Sequence, residues 1–161
     1  MLKSRLSTFL HLSWPDRWLL LESGLWLWLA RAAVLTIPFR WLASRLGQQH
    51  GMSPIVDNPE ALAQIRRVAW AIRVVSRATP WQSNCLAQAL AGKWMLHRRR
   101  IASTLYLGVA KDAQGRLEAH AWLRSGDSIL TGGSDLERYA IVAIFAETFA
   151  ATACRLNEVQ R

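Results

Sequence analysis

The chain has 161 residues, 52% of them hydrophobic and 19% charged, enough apolar material for one compact domain and too little charge for a disordered chain. Lysine and arginine outnumber aspartate and glutamate by 20 to 11, a net charge of +9. That balance favours an anionic partner: an acidic peptide, a membrane surface or nucleic acid. Two cysteines, Cys85 and Cys154, are too few for a disulfide scaffold. With no short apolar run leading to a small-residue cleavage site, a reducing cytoplasm is the expected compartment.

Ser13-Trp14-Pro15-Asp16 predicts a helix start, with Ser13 as N-cap, Pro15 in the first turn and Asp16 against the dipole. Asp16, Arg17, Ser23, Gly24 and Arg31 share one stripe of that helix, and the remainder is almost wholly apolar, so it is expected to be covered on most of its perimeter. The apolar stretch from Trp18 to Leu46 is interrupted by Glu22, Arg31, Pro38, Arg40 and Arg45. It is therefore not expected to span a bilayer, whereas peripheral contact with a membrane or a partner stays open. A shorter helix follows Pro38 and stops near Gly47, and 47–54 reads as a linker. Residues 1–57 form an N-terminal helical region with its linker, and 58–161 a catalytic domain.

Asn58-Pro59-Glu60 opens the next helix, with Leu62, Ile65, Ala69 and Ile72 buried and Arg66, Arg73 and Arg77 on a basic face. Thr79-Pro80 ends it. Ser83 or Asn84 caps a helix running from Cys85 to about His97, whose last turn is the cationic run from His97 to Arg100. Without interleaved aromatics that run is a dipole complement, and no nucleic-acid partner is expected. The period then changes to two: strands at 104–109, 117–123 and 128–131 are separated by turns at 112–115 and 125–127. Ser134-Asp135-Leu136-Glu137 is a capping box that predicts a final helix from Leu136 to about Leu156. The class is α+β, with helices first and then a helix packed on a small antiparallel sheet.

Cys85 sits in the first turn of a capped helix, where backbone N–H groups and the dipole favour a thiolate. Cys154, inside the apolar last segment, reads as core. A thiol nucleophile needs a base that can return the proton to a leaving amine. Of the four histidines, His11 precedes the first helix, His50 is in the linker and His97 is a helix-end cation. His120 is central in a strand, on the face of Glu118 and Trp122 and opposite Ala119 and Ala121. A hairpin turning at Ser125-Gly126 places Thr131 opposite His120 and Asp127 roughly 13 Å along the strand. Asp127 is therefore too far to orient the ring. Asp135, nearer the open end, could fold back onto it, or serve only the dipole of its own helix.

Three segments then become familiar together: Asn84-Cys85-Leu86-Ala87-Gln88-Ala89-Leu90, the run from Arg99 to Val109, and Leu117-Glu118-Ala119-His120-Ala121-Trp122. In this order they resemble the stand-alone leader peptidases of lasso-peptide biosynthesis, in the transglutaminase-like branch of the papain-type fold. The region from Leu12 to Trp18 is also similar to theirs. The resemblance implies a transglutaminase-like core preceded by a hydrophobic helical region. It also implies a cysteine protease that removes the leader from a ribosomally made precursor peptide, with Cys85 as nucleophile and His120 as base. The family usually carries an aspartate twelve positions after the histidine, which here is Gly132. The third member is then Asp135, a backbone carbonyl or nothing. The Cys85 N–H with Gln82 would stabilise the oxyanion. No metal and no cofactor is expected. The implied partners are the precursor peptide, a separate leader-recognition protein and an ATP-dependent cyclase, because nothing in 1–57 reads as a recognition module. Two other functions fit the same residues: acyl transfer to an amine, and a non-catalytic, Trp-rich basic module binding a membrane or an acidic partner.

Overall fold

The computed structural model describes residues 11–49, 51–53, 56, 58–79, 84–147 and 149. Ser13 opens helix α1 (Trp14–Thr36) as the sequence predicts, its hydroxyl accepting from the Asp16 N–H. A short α2 (Phe39–Ala43) follows Pro38. Asn58 caps α3 (Pro59–Ala78) by accepting from Glu60 N–H at 2.9 Å. Asn84 caps α4 (Cys85–Arg98) by accepting from Ala87 N–H at 3.2 Å.

The sheet is antiparallel throughout. Numbered in chain order, its strands are β1 (Gln48–Gln49), β2 (Ser103–Lys111), β3 (Leu117–Ser125), β4 (Ser128–Thr131) and β5 (Ala140–Glu147). Across the sheet they lie in the order β1-β5-β2-β3-β4. One buried cluster joins Leu27 of α1, Ile65 and Ile72 of α3, Leu90 and Leu96 of α4, and Leu105, Leu123 and Phe145 of the sheet. The N-terminal helices and the segment after residue 57 therefore share one core. The fold is α+β, with an apolar N-terminal helix, as the sequence implied.

Four local expectations are corrected. The expected helix from Leu136 does not form within the described residues. Leu136–Arg138 is a single 3₁₀ turn, and 140–147 is strand β5. The capping box fails because Asp135 adopts a left-handed backbone, φ 51°, and its side chain caps nothing. Ile141, Val142 and Ile144 are β-branched, and β5 pairs along β2 from Ala140↔Val109 to Glu147↔Ser103, so sheet pairing overrides a local helix signal. The part of that helix expected from residue 150 onward, with Cys154, lies outside the described residues. Second, the expected linker contains β1, which pairs Gln48↔Ala146 and Gln49↔Phe145. Third, the hairpin turns at Gly126-Asp127, and a bulge shifts β4 so that Thr131 faces Leu123 instead of His120. Fourth, α1 is not covered on most of its perimeter. Ser23, from its polar stripe, is fully buried with Leu27 and Ala30, while Trp14, Trp18, Leu21, Leu25 and Trp28 face outward.

Candidate active site

α4 fixes the level of Cys85. The helix is buried on nearly every side, with Ala87, Ala89, Leu90, Ala91, Gly92, Met95 and Leu96 all inaccessible. It lies close to β3 at Gly92, where a Cβ would come within 2.8 Å of Leu123 Cδ2 and 3.1 Å of Ile72 Cδ1. Its C-terminal half is tied to the other end of the sheet. Lys93 Nζ donates to the carbonyls of Ser103 (3.4 Å) and Phe145 (3.5 Å), and His97 Nδ1 lies 2.5 Å from Glu147 Oε1. α4 thus runs parallel to β3. Seven residues of helix back from Gly92 to Cys85 cover about 10 Å, and three residues of strand back from Leu123 to His120 cover about 10 Å. Cys85 and His120 consequently stand at the same level along the sheet, Cys85 on the helix that covers the Ala121–Leu123 face and His120 on the other face of β3.

At that level the His120 ring is held from two sides. Tyr139, just before β5, stacks on it at 4.8 Å between centroids, and Trp122 flanks it at 6.1 Å. Trp122 in turn stacks on Tyr106, its register partner across β2, at 5.3 Å. The opposing residue of β2 is Gly108, where a Cβ would lie 2.9 Å from both Trp122 Cζ3 and Tyr139 Cβ, so a side chain there would break the aromatic stack. Strand alternation places this cluster on the sheet face opposite Ala121 and Leu123, which meet the core.

His120 Nε2 lies 2.9 Å from the carbonyl oxygen of Gly132. A carbonyl only accepts, so Nε2 carries the proton and Nδ1 is the basic nitrogen of the neutral ring. The bond exists because Gly132 has φ +69°, and a Cβ there would meet Ala121 O at 2.4 Å and His120 Nε2 at 3.1 Å. Asp135 is exposed, and its side chain makes no hydrogen bond or ion pair with a described residue. The Thr131 hydroxyl is buried without a described partner and does not reach the ring. His11 is exposed, and His50 and Gln82 lie outside the described residues.

Cys85 is free and half-buried. Asn84 occupies the Ala87 N–H, which leaves the N–H groups of Cys85 and Leu86 without an acceptor among the described residues. No described hydrogen bond links Cys85 directly to His120; Tyr139, which stacks on His120, is near enough to feel the charge of Cys85. Loss of hydration pushes its hydroxyl above its ordinary value of 10.0. The hydrogen-bonded Glu118 carboxylate and the nearby Cys85 add to that shift, and Arg138 opposes it. Tyr139 was not legible in the sequence, because its role depends on the unforeseen strand that follows it. Among the described residues, no group of three or more His, Cys, Asp or Glu is placed to hold a metal.

Compared with models of known families, residues 33–143 match the transglutaminase-like superfamily, whose members are generally cysteine-dependent enzymes and include cysteine proteases and acyltransferases. The match covers more than half of the chain, and the chain belongs to that superfamily. No curated protein and no solved structure matches it.

Proposed function

We propose that the protein is a cysteine peptidase that removes the leader from a lasso precursor peptide, with Cys85 as nucleophile and His120 as general base and acid. The observation that carries this reading is the His120 Nε2–Gly132 carbonyl bond, at 2.9 Å, level with the start of the cysteine helix. The family resemblance puts an acceptor at this chain position, and a main-chain oxygen can do the orienting part of a carboxylate's work. It fixes the tautomer and ring angle, but contributes no full charge to stabilise the imidazolium. Asp135 is not required in this scheme.

Nδ1 takes the Cys85 proton as Sγ bonds to the scissile carbonyl carbon. The resulting oxyanion is received by the Cys85 N–H, which has no acceptor among the described residues, with Gln82 as a second donor. Collapse breaks the C–N bond, Nδ1 delivers its proton to the leaving amine, and a thioester remains. A water that gives its proton to Nδ1 then hydrolyses the thioester, releasing the leader's carboxylate and restoring the thiol. The reading includes a separate leader-recognition protein to present the precursor, a lasso cyclase that consumes the product, and a cytoplasmic setting.

The test is mass spectrometry of a lasso precursor incubated with the protein and a leader-recognition partner. Cleavage at the leader–core junction is expected, lost in Cys85→Ala and in His120→Ala, and kept in Cys154→Ala. Cleavage by Cys85→Ala ends the peptidase reading. An amide product formed with an added amine, in place of a free carboxylate, replaces it with acyl transfer.

A further inference from the structure

The most unusual surface lies away from the catalytic end. Trp14, Trp18, Leu21, Leu25 and Trp28 are each 55–65% exposed, and Leu35 is 70% exposed. Their spacings of four, three, four, three and seven residues place them in one stripe of roughly 100° along α1. Ile37, Phe39 and Trp41, in and beside α2, are also exposed, by 42–61%. The ridge is about 35 Å long from α1 alone, and α1 is the described helix long and apolar enough by length and composition to cross a membrane. Its opposite side is not available to lipid, because Leu19, Leu20, Ser23, Leu27 and Ala30 are packed into the core.

Charge along the ridge has one sign. The two acids of α1 are neutralised in place: Asp16 by Arg67 at 2.7 Å, and Glu22 by Arg99 at 2.6 Å. No acid occurs from 23 to 56, while Arg31, Arg40 and Arg45 do. Arg40 and Arg45 are exposed on either side of Trp41 and form no ion pair among the described residues. Where the ridge meets α3 and α4, a groove of about 690 Å³ combines Trp18, Leu21 and Leu25 with Arg67, Arg98 and Arg99, and with Glu22, which pairs with Arg99.

We infer that the α1–α2 ridge is a lipid-binding surface that lays the protein on an anionic membrane, with α1 in the plane of the headgroups. Tryptophan rings beside arginines suit the headgroup boundary, where one side of the residue is apolar and the other wet. A helical protein partner is the weaker occupant. The indole rings at 14, 18 and 28 are bulkier than the leucine and β-branched knobs that interdigitating helices prefer. Anionic lipid also satisfies Arg40 and Arg45, which form no ion pair among the described residues.

The experiment is co-sedimentation of the full chain with vesicles of phosphatidylcholine, with and without phosphatidylglycerol, alongside tryptophan emission. Binding with a blue shift is expected, stronger on the anionic vesicles and weakened by salt. Leu21→Ser with Leu25→Ser should reduce partitioning about hundredfold, since both side chains would leave the lipid. Both are exposed, so an unchanged urea midpoint is expected. Arg40→Gln with Arg45→Gln should cost about thirtyfold on anionic vesicles only. Failure to sediment with anionic vesicles overturns the inference, as does equal binding to both vesicle types. A dimer that forms without lipid, and that the leucine variant abolishes together with any vesicle binding, assigns the ridge to protein contact and overturns it too.

Discussion

Replacing Gly132 by alanine separates two costs that the structure keeps distinct. Gly115 and Gly132 both have positive φ, +77° and +69°, but a Cβ at Gly115 meets nothing within 4 Å, whereas at Gly132 it meets Ala121 O at 2.4 Å. Gly115→Ala should therefore cost only the left-handed backbone term, about 1–2 kcal/mol. Gly132→Ala adds a clash with main chain that cannot swing aside, about 1–3 kcal/mol more, for a total of roughly 2–5 kcal/mol. Urea unfolding followed by tryptophan fluorescence measures both. In the activity assay, Gly115→Ala should be silent, while Gly132→Ala should lower kcat beyond any loss of folded protein, because the new methyl lies 3.1 Å from His120 Nε2. Equal urea midpoints for the two variants would refute the packing argument. Normal kcat in folded Gly132→Ala would refute the role of the carbonyl.

Asp135→Asn should leave kcat within about twofold, since the side chain is exposed and a carboxylate that truly orients the base costs up to about 10⁴ when lost; a tenfold fall restores Asp135 as the third member. Burial holds the Lys93 ammonium below its ordinary value of 10.5, against the pull of Glu147. The unfolded chain therefore binds the extra proton in the window just below 10.5, and stability should rise with pH there. Lys93→Met should flatten that rise in urea midpoints measured across alkaline pH, and an unchanged slope refutes the assignment. Glu147→Gln leaves the buried ammonium without its counter-charge and should cost about 3 kcal/mol in the same assay at neutral pH; the double variant with Lys93→Met should recover much of it.

Helix starts were the most legible part of the chain. Ser13, Asn58 and Asn84 each bond a backbone N–H of the first turn, because capping is a contact between near neighbours and is written locally. The order of β2 to β4 was legible for the same reason, as period-two runs separated by turn residues. β5 was not, because its partners lie some forty residues upstream in β2 and its own apolar run carries no clear period. The missed strand hid Tyr139, and the bulge in β4 hid the acceptor of His120. Gly132 stood out in the sequence only as the place where an aspartate is usual, and a carbonyl has no residue-type signal. The outward face of α1 was misjudged for another reason. A polar stripe marks the face away from the core only where its residues are charged, and here the small Ser23 lies inside while three tryptophans of the same helix lie outside.

The contact of Gly92 with Leu123 acts as a fulcrum. A Cβ at Gly92 would come within 2.8 Å of Leu123 Cδ2, and the two arms that leave this close approach, to Cys85 and to His120, are each about 10 Å long. A tilt of α4 by about 5° on that pivot swings the end of the arm by about 1 Å, a displacement that can cost about a hundredfold in rate. The position of the Cys85 thiol over the sheet then depends on the absence of one methyl group two turns away. Just past the pivot Lys93, and a turn further His97, are anchored to Glu147, and these ties are part of the same balance. A change in the charge of that triad would act on the tilt of α4, and so on Cys85, without any of its members approaching the thiol.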